Sequence, residues 1–220
     1  MKLLRLTTVR KCRTLTAMGW GLLIMSVSVI SLFLILFAYP FLAPMHPVDG
    51  EVLVVEGWLP DYSLTKVKTR FQKGNYKLLI TTGATFTIGH PLSKYYKSWA
   101  NLAASVLNAK GIPLEQIMLA PMTTNPKNNR TYHTALEVKQ KLSAKGLSLT
   151  SIDVVSLGPH SRRTWFMFKQ VFPMVKVGIV SMEPQDYDVT KWWSSSAGLR
   201  ALITESLAYF YARLIFSPAI

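Results

Sequence analysis

Residues 51–83 read EVLVVEGWLPDYSLTKVKTRFQKGNYKLLITTG, and a change of rhythm inside this stretch decides the fold class. Glu51–Glu56 (EVLVVE) is a short apolar run with no polar alternation, the pattern of a strand buried on both faces. From Ser63 to Gly74 the period lengthens. Leu64, Val67 and Phe71 recur at i, i+3 and i+7 along one stripe of a helix with a lysine-rich outer face, and Gly74 closes it. Lys77–Thr82 (KLLITT) is apolar again, and Gly83 turns the chain. Strand, amphipathic helix and strand make a βαβ unit, because parallel strands need a crossover of this length.

The same alternation continues toward the C-terminus. The pattern predicts a helix over Pro91–Lys110, with Trp99, Leu102 and Val106 on one stripe, and a strand at Gln116–Leu119. Thr131–Lys145 is a helix that turns Ala135, Val138 and Leu142 inward, and Ile152–Leu157 is a strand. Ser161–Phe172 is a helix led by Trp165, Phe168 and Phe172, Val175–Ser181 is the last strand, and Ala197–Phe216 is a final apolar helix. Together these predict an α/β domain over residues 51–220: a Rossmann-like three-layer α/β/α sandwich with a mostly parallel sheet, its strand order left open. Trp192 and Trp193 precede the final helix, which suggests membrane contact. Glu205 and Arg213 within it are costly at bilayer depth, so the helix is expected to pack on the sheet.

Upstream, residues 40–50 (PFLAPMHPVDG) form a stiff linker, and residues 17–39 (AMGWGLLIMSVSVISLFLILFAY) carry no charge at all. That is long enough for a transmembrane helix, which needs roughly 20 apolar residues. A cleaved signal peptide has a shorter apolar region, of roughly 7–15 residues, ending in small side chains. This one leaves through Tyr39, Pro40, Phe41, Pro44 and Pro47, so it reads as a retained anchor. Lys2, Arg5, Arg10, Lys11 and Arg13 make residues 1–16 a basic tail, and no acidic residue occurs before Asp49. By the positive-inside rule the N-terminus is cytoplasmic and the domain is translocated.

The formal charge of the 220-residue chain is +14, with five of those basic residues before the span. A basic domain beside a membrane suits anionic partners, lipid headgroups or phosphorylated substrates, though a generally solubilising surface would look the same. Nucleic acid is set aside because the domain lies on the wrong side of the membrane. The one cysteine, Cys12, is in the tail, so the domain relies on its core rather than on disulfides.

In open α/β sheets ligands sit beyond the carboxyl ends of the strands, and four loops fall there. In Glu56–Asp61, Gly57 allows backbone to approach a ligand and Asp61 suits a helix cap. In Thr81–Ala84, Thr82 and Gly83 offer small groups and amides to an anion, without the lysine of a phosphate loop. In Asn128–Thr131, Arg130 supplies a forked donor at a helix start, while Thr131 suits either a ligand contact or an N-cap. In Gly158–Arg163, His160 and two arginines crowd another helix N-terminus, where positive charge opposes the dipole unless an anion is bound. That makes His160 and Arg163 the leading site residues, with Arg162 facing solvent. The four histidines (His46, His90, His133, His160) are too scattered to suggest a metal site, and no G-x-S-x-G elbow occurs.

The ordered blocks VLVVEGW, LLITTG, NRTYHTA, GPHSRRT and ITESLAYFYARL, spread from Val52 to Phe216, resemble the YdcF-like family of SanA- and ElyC-type envelope proteins. The resemblance implies a Rossmann-like fold, a bacterial inner-membrane anchor, and a part in envelope integrity and peptidoglycan or lipid-carrier metabolism, with no defined reaction. It places family site positions on His160, Arg163, Thr82, Gly83 and Thr131. Two departures matter. His133 and Thr134 stand where many members have Glu and Asn, and Ser93–Trp99 lacks a carboxylate that many members carry. What is retained binds anions, which favours ligand binding over defined catalysis. The expectation is an envelope-biogenesis factor with a basic pocket for a phosphorylated small molecule or lipid carrier, Arg163 and Arg130 gripping the anion and His160 serving as an acid if there is chemistry. Alternatives are a phosphoester or pyrophosphate hydrolase, with Glu56, Asp61 and Glu205 as its only candidate bases and Glu205 equally suited to pair with an arginine, and a non-catalytic scaffold for envelope-synthesis proteins. No cofactor is indicated.

Overall fold

A computed structural model of the chain describes residues 13–87, 89–123, 126 and 129–217. Most of the basic tail, and Asn128 of the third loop, lie outside the described residues. The chain divides into two compact units, Met1–Phe37 and Ala38–Ile220. The first holds most of helix α1 (Ala17–Leu42), which contains an 18-residue window of mean hydropathy 2.6 and is long and apolar enough to cross a membrane. α1 runs past the expected end at Tyr39, with Pro40 inside it; the amide of Ala43 still reaches the carbonyl of Tyr39 at 2.8 Å.

The second unit is an α/β domain with one six-stranded sheet. Its strands are β1 (Met45–His46), β2 (Val52–Glu56), β3 (Leu78–Ala84), β4 (Ile117–Met122), β5 (Ser151–Leu157) and β6 (Lys176–Met182). Its helices are α2 (Asp61–Lys73), α3 (Trp99–Ala109), α4 (Arg130–Ala144), α5 (His160–Val171) and α6 (Ser196–Leu214). The strand order is β1-β6-β5-β2-β3-β4, with every pair parallel except β1 against β6. The chain starts its parallel strands in the middle, at β2, moves out to β4, and returns to β5 on the other side of β2. The crossovers after β2 and β5 therefore diverge, and a crevice opens between those two strand ends.

The four central strands, β6, β5, β2 and β3, bury both of their faces, while the edge strands β1 and β4 keep exposed positions. Val52, Val54, Ile80, Ile152, Val154 and Ile179 pack under α4 and α5 through Ala135, Val138, Phe168 and Val171. Leu53, Val55, Leu79, Val155 and Val180 pack under α2 and α3 through Leu64, Val67, Phe71, Ala103 and Leu107. This two-sided burial is why the strands read as unbroken apolar runs.

The structure corrects several expectations. The helix expected over Pro91–Lys110 is a short 3₁₀ turn, Pro91–Lys94, followed by α3. Ser98 makes the break by accepting the Asn101 amide as an N-cap. The buried stripe of α3 is Ala100, Ala103, Ala104 and Leu107, not Trp99, Leu102 and Val106, because small residues let the helix lie close to the sheet. Asp61 does not cap α2; it is the first helical residue and pairs with Lys110 at 2.9 Å. The proline-rich linker contains an unexpected edge strand, β1, held by Met45 against Val180 and His46 against Ile179. Pro44 and Pro47 limit its length, a common way to blunt a sheet edge. Finally, α6 packs against α5 and the 3₁₀ segment Val189–Ser194, not on the sheet.

Candidate functional site

At the carboxyl edge of the sheet, the first turns of α4 and α5 carry the cationic side chains of the site. Asn129 adopts a left-handed conformation (φ 55°, ψ 37°) without a side-chain cap, so Arg130 and Thr131 become the first two residues of α4. Past β5, Gly158 (φ +47°) and Pro159 turn the chain so that His160 opens α5, with Arg163 one turn further on the same face. Glu56 is the last residue of β2, across the crevice. Glu205 comes from α6, far along the sequence.

Arg163 is the hub. Its Nε donates to Glu205 Oε2 at 2.9 Å and its Nη2 to Glu205 Oε1 at 3.0 Å, a fork on one carboxylate, while Nη1 donates to the Thr131 hydroxyl at 3.1 Å. One guanidinium thus ties α5 to both α6 and α4. His160 stands between two acids, with Nδ1 3.0 Å from Glu205 Oε1 and Nε2 3.5 Å from Glu56 Oε1. Glu56 is itself buried and accepts from the Ser156 hydroxyl at 2.6 Å and the Thr164 hydroxyl at 3.2 Å.

These surroundings set the charge on the imidazole. Burial opposes its cationic form, but Glu56 and Glu205 outweigh both burial and the nearby Arg163, and the pKa rises from 6.5 to about 9. Burial likewise opposes ionisation of Glu205, yet hydrogen bonds and charge from His160 and Arg163 lower its pKa from 4.5 to about 2. His160 is therefore a cation at neutral pH and donates through Nδ1 to Glu205. The 2.9 Å approach of Arg163 Nη2 to His160 Nδ1 arises because both nitrogens converge on Glu205 Oε1.

This cluster forms one wall of a cavity of about 820 Å³. Arg130, Thr131, His160 and Arg163 line it together with Glu56 and Gly83. Trp58, Trp99, Met122 and Met167 make an apolar side, and Leu207 and Tyr211 of α6 close it. The two turns on which the cationic site was expected, at Arg130 and at His160–Arg163, thus face one hollow. Within the cluster Glu56 and Glu205 offset His160 and Arg163. Arg130 is exposed and pairs with no acidic side chain among the described residues.

No protein-family model matches the chain, and no curated protein matches it. Among solved structures it is similar to a bifunctional NMN adenylyltransferase/ADP ribose pyrophosphatase from Francisella tularensis, with 13% sequence identity and a TM-score of 0.42. The match covers 77% of this chain and 56% of that one, so the chain spans little more than half the length of that structure.

Two of the residues read as ligand contacts have other work. Gly57 does not line the cavity; its amide donates to the Thr82 carbonyl at 2.8 Å, and a Cβ there would lie 2.4 Å from that oxygen and 2.5 Å from the Trp99 carbonyl. Its glycine is required by the packing of α3. Thr82 is fully buried and donates to the Val55 carbonyl. Gly83 (φ +141°) does line the hollow, where its missing side chain admits Trp99, whose Cβ a substituent would meet at 2.7 Å. The Thr131 hydroxyl receives Arg163 rather than capping its own helix. The sequence reading missed Trp58, Trp99 and Tyr211; it offered Glu205 either as a base or as the partner of an arginine, and the structure pairs it with Arg163. The ITESLAYFYARL block contained Glu205 and Tyr211, but not the fact that α6 folds back over α5.

Proposed function

We propose that the hollow binds a phosphorylated or otherwise anionic ligand, and that the protein is a membrane-anchored envelope-biogenesis factor of YdcF-like type, acting in peptidoglycan or lipid-carrier metabolism. In this reading α1 anchors it in the bacterial inner membrane, with the N-terminus cytoplasmic and the domain outside. The observation that carries the ligand reading is Arg130, an exposed cation without an acidic partner among the described residues, at a helix start on the rim of an 820 Å³ cavity. The first amides of a helix and its dipole favour negative charge there. The volume, in the range of roughly 300–1,000 Å³ typical of ligand pockets, exceeds the needs of phosphate alone, and the tryptophan and methionine side suits an apolar remainder. Arg163 contributes indirectly: its three nitrogens are engaged with Glu205 and Thr131, so it shapes the rim that Arg130 opens onto.

The test uses the full-length protein in detergent, titrated with inorganic pyrophosphate and with geranylgeranyl diphosphate. The expected result is thermal stabilisation by the isoprenoid compound, weakened about tenfold in apparent affinity in Arg130→Ala, as loss of one charge-assisted contact implies. No stabilisation by either compound, or an unchanged response in Arg130→Ala, defeats the reading.

The protonated imidazole supports a second reading, a phosphoester or pyrophosphate hydrolase. Water would add at phosphorus as the P–O bond breaks, and His160 would pass the Nε2 proton to the leaving oxygen. Phosphate release abolished in His160→Gln with ligand stabilisation retained would decide for it. Stabilisation without turnover leaves the binder. Absence of both leaves the scaffold for envelope-synthesis proteins.

A further inference from the structure

α6 is apolar around most of its circumference, yet only one side of it is covered. Gly198, Leu202 and Ala212 are buried, and Glu205 reaches into the site cluster. On the opposite side Leu199, Ile203, Leu207, Phe210 and Leu214 are exposed, from 39% at Leu199 to 77% at Leu214. At 3.6 residues per turn these five positions fall within an arc of about 80°. Arg200 and Arg213, both exposed, project on either flank of that arc, and the only acid of the helix, Glu205, is turned inward. A continuous apolar stripe with cationic flanks is the pattern of a helix lying in a membrane interface, its arginines reaching toward headgroups.

The occupant follows from where the tether joins the domain. Leu42, at the end of the apolar helix, is buried in a cluster with Trp192 and with Leu202 of α6. Phe41 meets Tyr209 of α6 edge-on at 5.6 Å, and the guanidinium of Arg162 lies 4.2 Å over the Phe41 ring. Because β1 runs antiparallel to β6, Leu42 lies toward the carboxyl end of β6, the end that carries the hollow. Trp193, 40% exposed, adds an aromatic of interfacial type on the 3₁₀ segment that packs against α6. The apolar stripe thus belongs to the helix that receives the tether.

We propose that the outer face of α6 seats on the phospholipid bilayer that the chain's own N-terminal helix enters, bringing the mouth of the hollow to the lipid surface. Leu207 contributes both to the stripe and to the cavity wall, so an amphiphile can leave the bilayer along α6 with its headgroup directed at Arg130. The inference rests on the reading of α1 as a membrane span, and not on the identity of the ligand.

The experiment is site-directed spin labelling of the full chain, with Cys12→Ser removing the native thiol, in vesicles of phosphatidylethanolamine and phosphatidylglycerol. Labels are placed singly through Ile203→Cys, Phe210→Cys, Lys145→Cys on the exposed end of α4, and Val29→Cys in the apolar helix. Collision with oxygen should exceed collision with a nickel chelate several-fold at 203 and 210 as well as at 29, while at 145 the chelate dominates. Chelate access at 203 and 210 equal to that at 145, with 29 protected, overturns the α6 proposal while leaving the anchor intact. Chelate access at 29 overturns both. Spin–spin broadening at 203 that persists on dilution into excess lipid identifies a second copy as the occupant and also overturns the proposal.

Discussion

Two buried carboxylates in this domain, Asp153 and Glu56, sit in adjacent strands near opposite ends of the sheet and end up in different situations. Asp153, in β5, accepts from the amides of Val48 and Gly50 at 2.8 and 3.2 Å and from the Tyr76 hydroxyl at 2.8 Å, with Arg70 3.8 Å away. Every partner is fixed, and the group they secure is the linker that enters the sheet. Burial and Asp153 together push the Tyr76 pKa upward, so that hydroxyl stays neutral across the physiological range. Glu56 also has hydroxyl partners, but its remaining neighbour is His160, a titrating group, and beyond it is a cavity. Burying a charge is costly in either place. At the Asp153 end the compensation is complete and internal, which marks a structural fastening. At the Glu56 end it depends on a cation that also lines the hollow, the arrangement a candidate site requires.

The contrast is tested most severely by Asp153→Ala. Removing the acceptor strands two amides and a hydroxyl, and a loss of about 3–5 kcal/mol is expected, read from urea or thermal unfolding of the detergent-solubilised chain. Ligand-induced stabilisation, measured at low temperature where the variant is still folded, should persist. If that response disappears, the two ends are not independent.

The next effect is on pH. His160 has a folded pKa of about 9 against 6.5, so its contribution to stability is fully present below pH 6.5 and is lost as pH rises through 9. Glu205, about 2 against 4.5, contributes above pH 4.5 and loses that contribution as pH falls through 2. The domain should therefore weaken between pH 6.5 and 9 by an amount on the order of 2–3 kcal/mol, and His160→Gln should flatten that slope. A wild-type slope unchanged in His160→Gln would show that the imidazole is not the group responsible.

The two ends also differed in how far sequence could reveal them. The strands, the inward faces of α2 and α4 and the two-sided burial of the sheet follow from local periodicity. His160 and Arg163 stood out because cations at a helix start are locally unfavourable. Asp153 was visible inside IDVVSL, but its partners lie at positions 48, 50 and 76, and no short-range pattern announces them. Glu205 is similar: its fork with Arg163 exists only because α6 folds back over α5. Glycines misled the reading, since one needed for close packing and one needed for a ligand look alike in sequence. β1 escaped notice because two residues between prolines carry no period.

Gly57→Ala sharpens the line between neighbourhood and participation. The new methyl group would press on the carbonyls of Thr82 and Trp99, both backbone, and a cost of about 1–3 kcal/mol is expected. Its ligand response, compared at equal fraction folded, should match that of the parent. A selective loss of binding without destabilisation would return Gly57 to the site.

The smallest effect is expected for Tyr76→Phe, and it examines the fastening itself. The Tyr76 hydroxyl donates to Asp153 and accepts from Arg70 Nε at 2.9 Å, so it relays between a buried anion and a partly exposed cation. Phenylalanine keeps the ring, which stacks on Phe71 with centroids 6.2 Å apart, and removes only the relay. Asp153 would retain both linker amides and the more distant Arg70, so the loss should be about 1.5 kcal/mol, the low end for one hydrogen bond to a charged group, because the network remains mostly satisfied. A loss approaching that of Asp153→Ala would mean that the hydroxyl, and not the linker amides, supplies most of the compensation. The Asp153 end would then depend on one movable side chain, much as the Glu56 end depends on His160, and the physical distinction between fastening and site would narrow to the presence of the cavity.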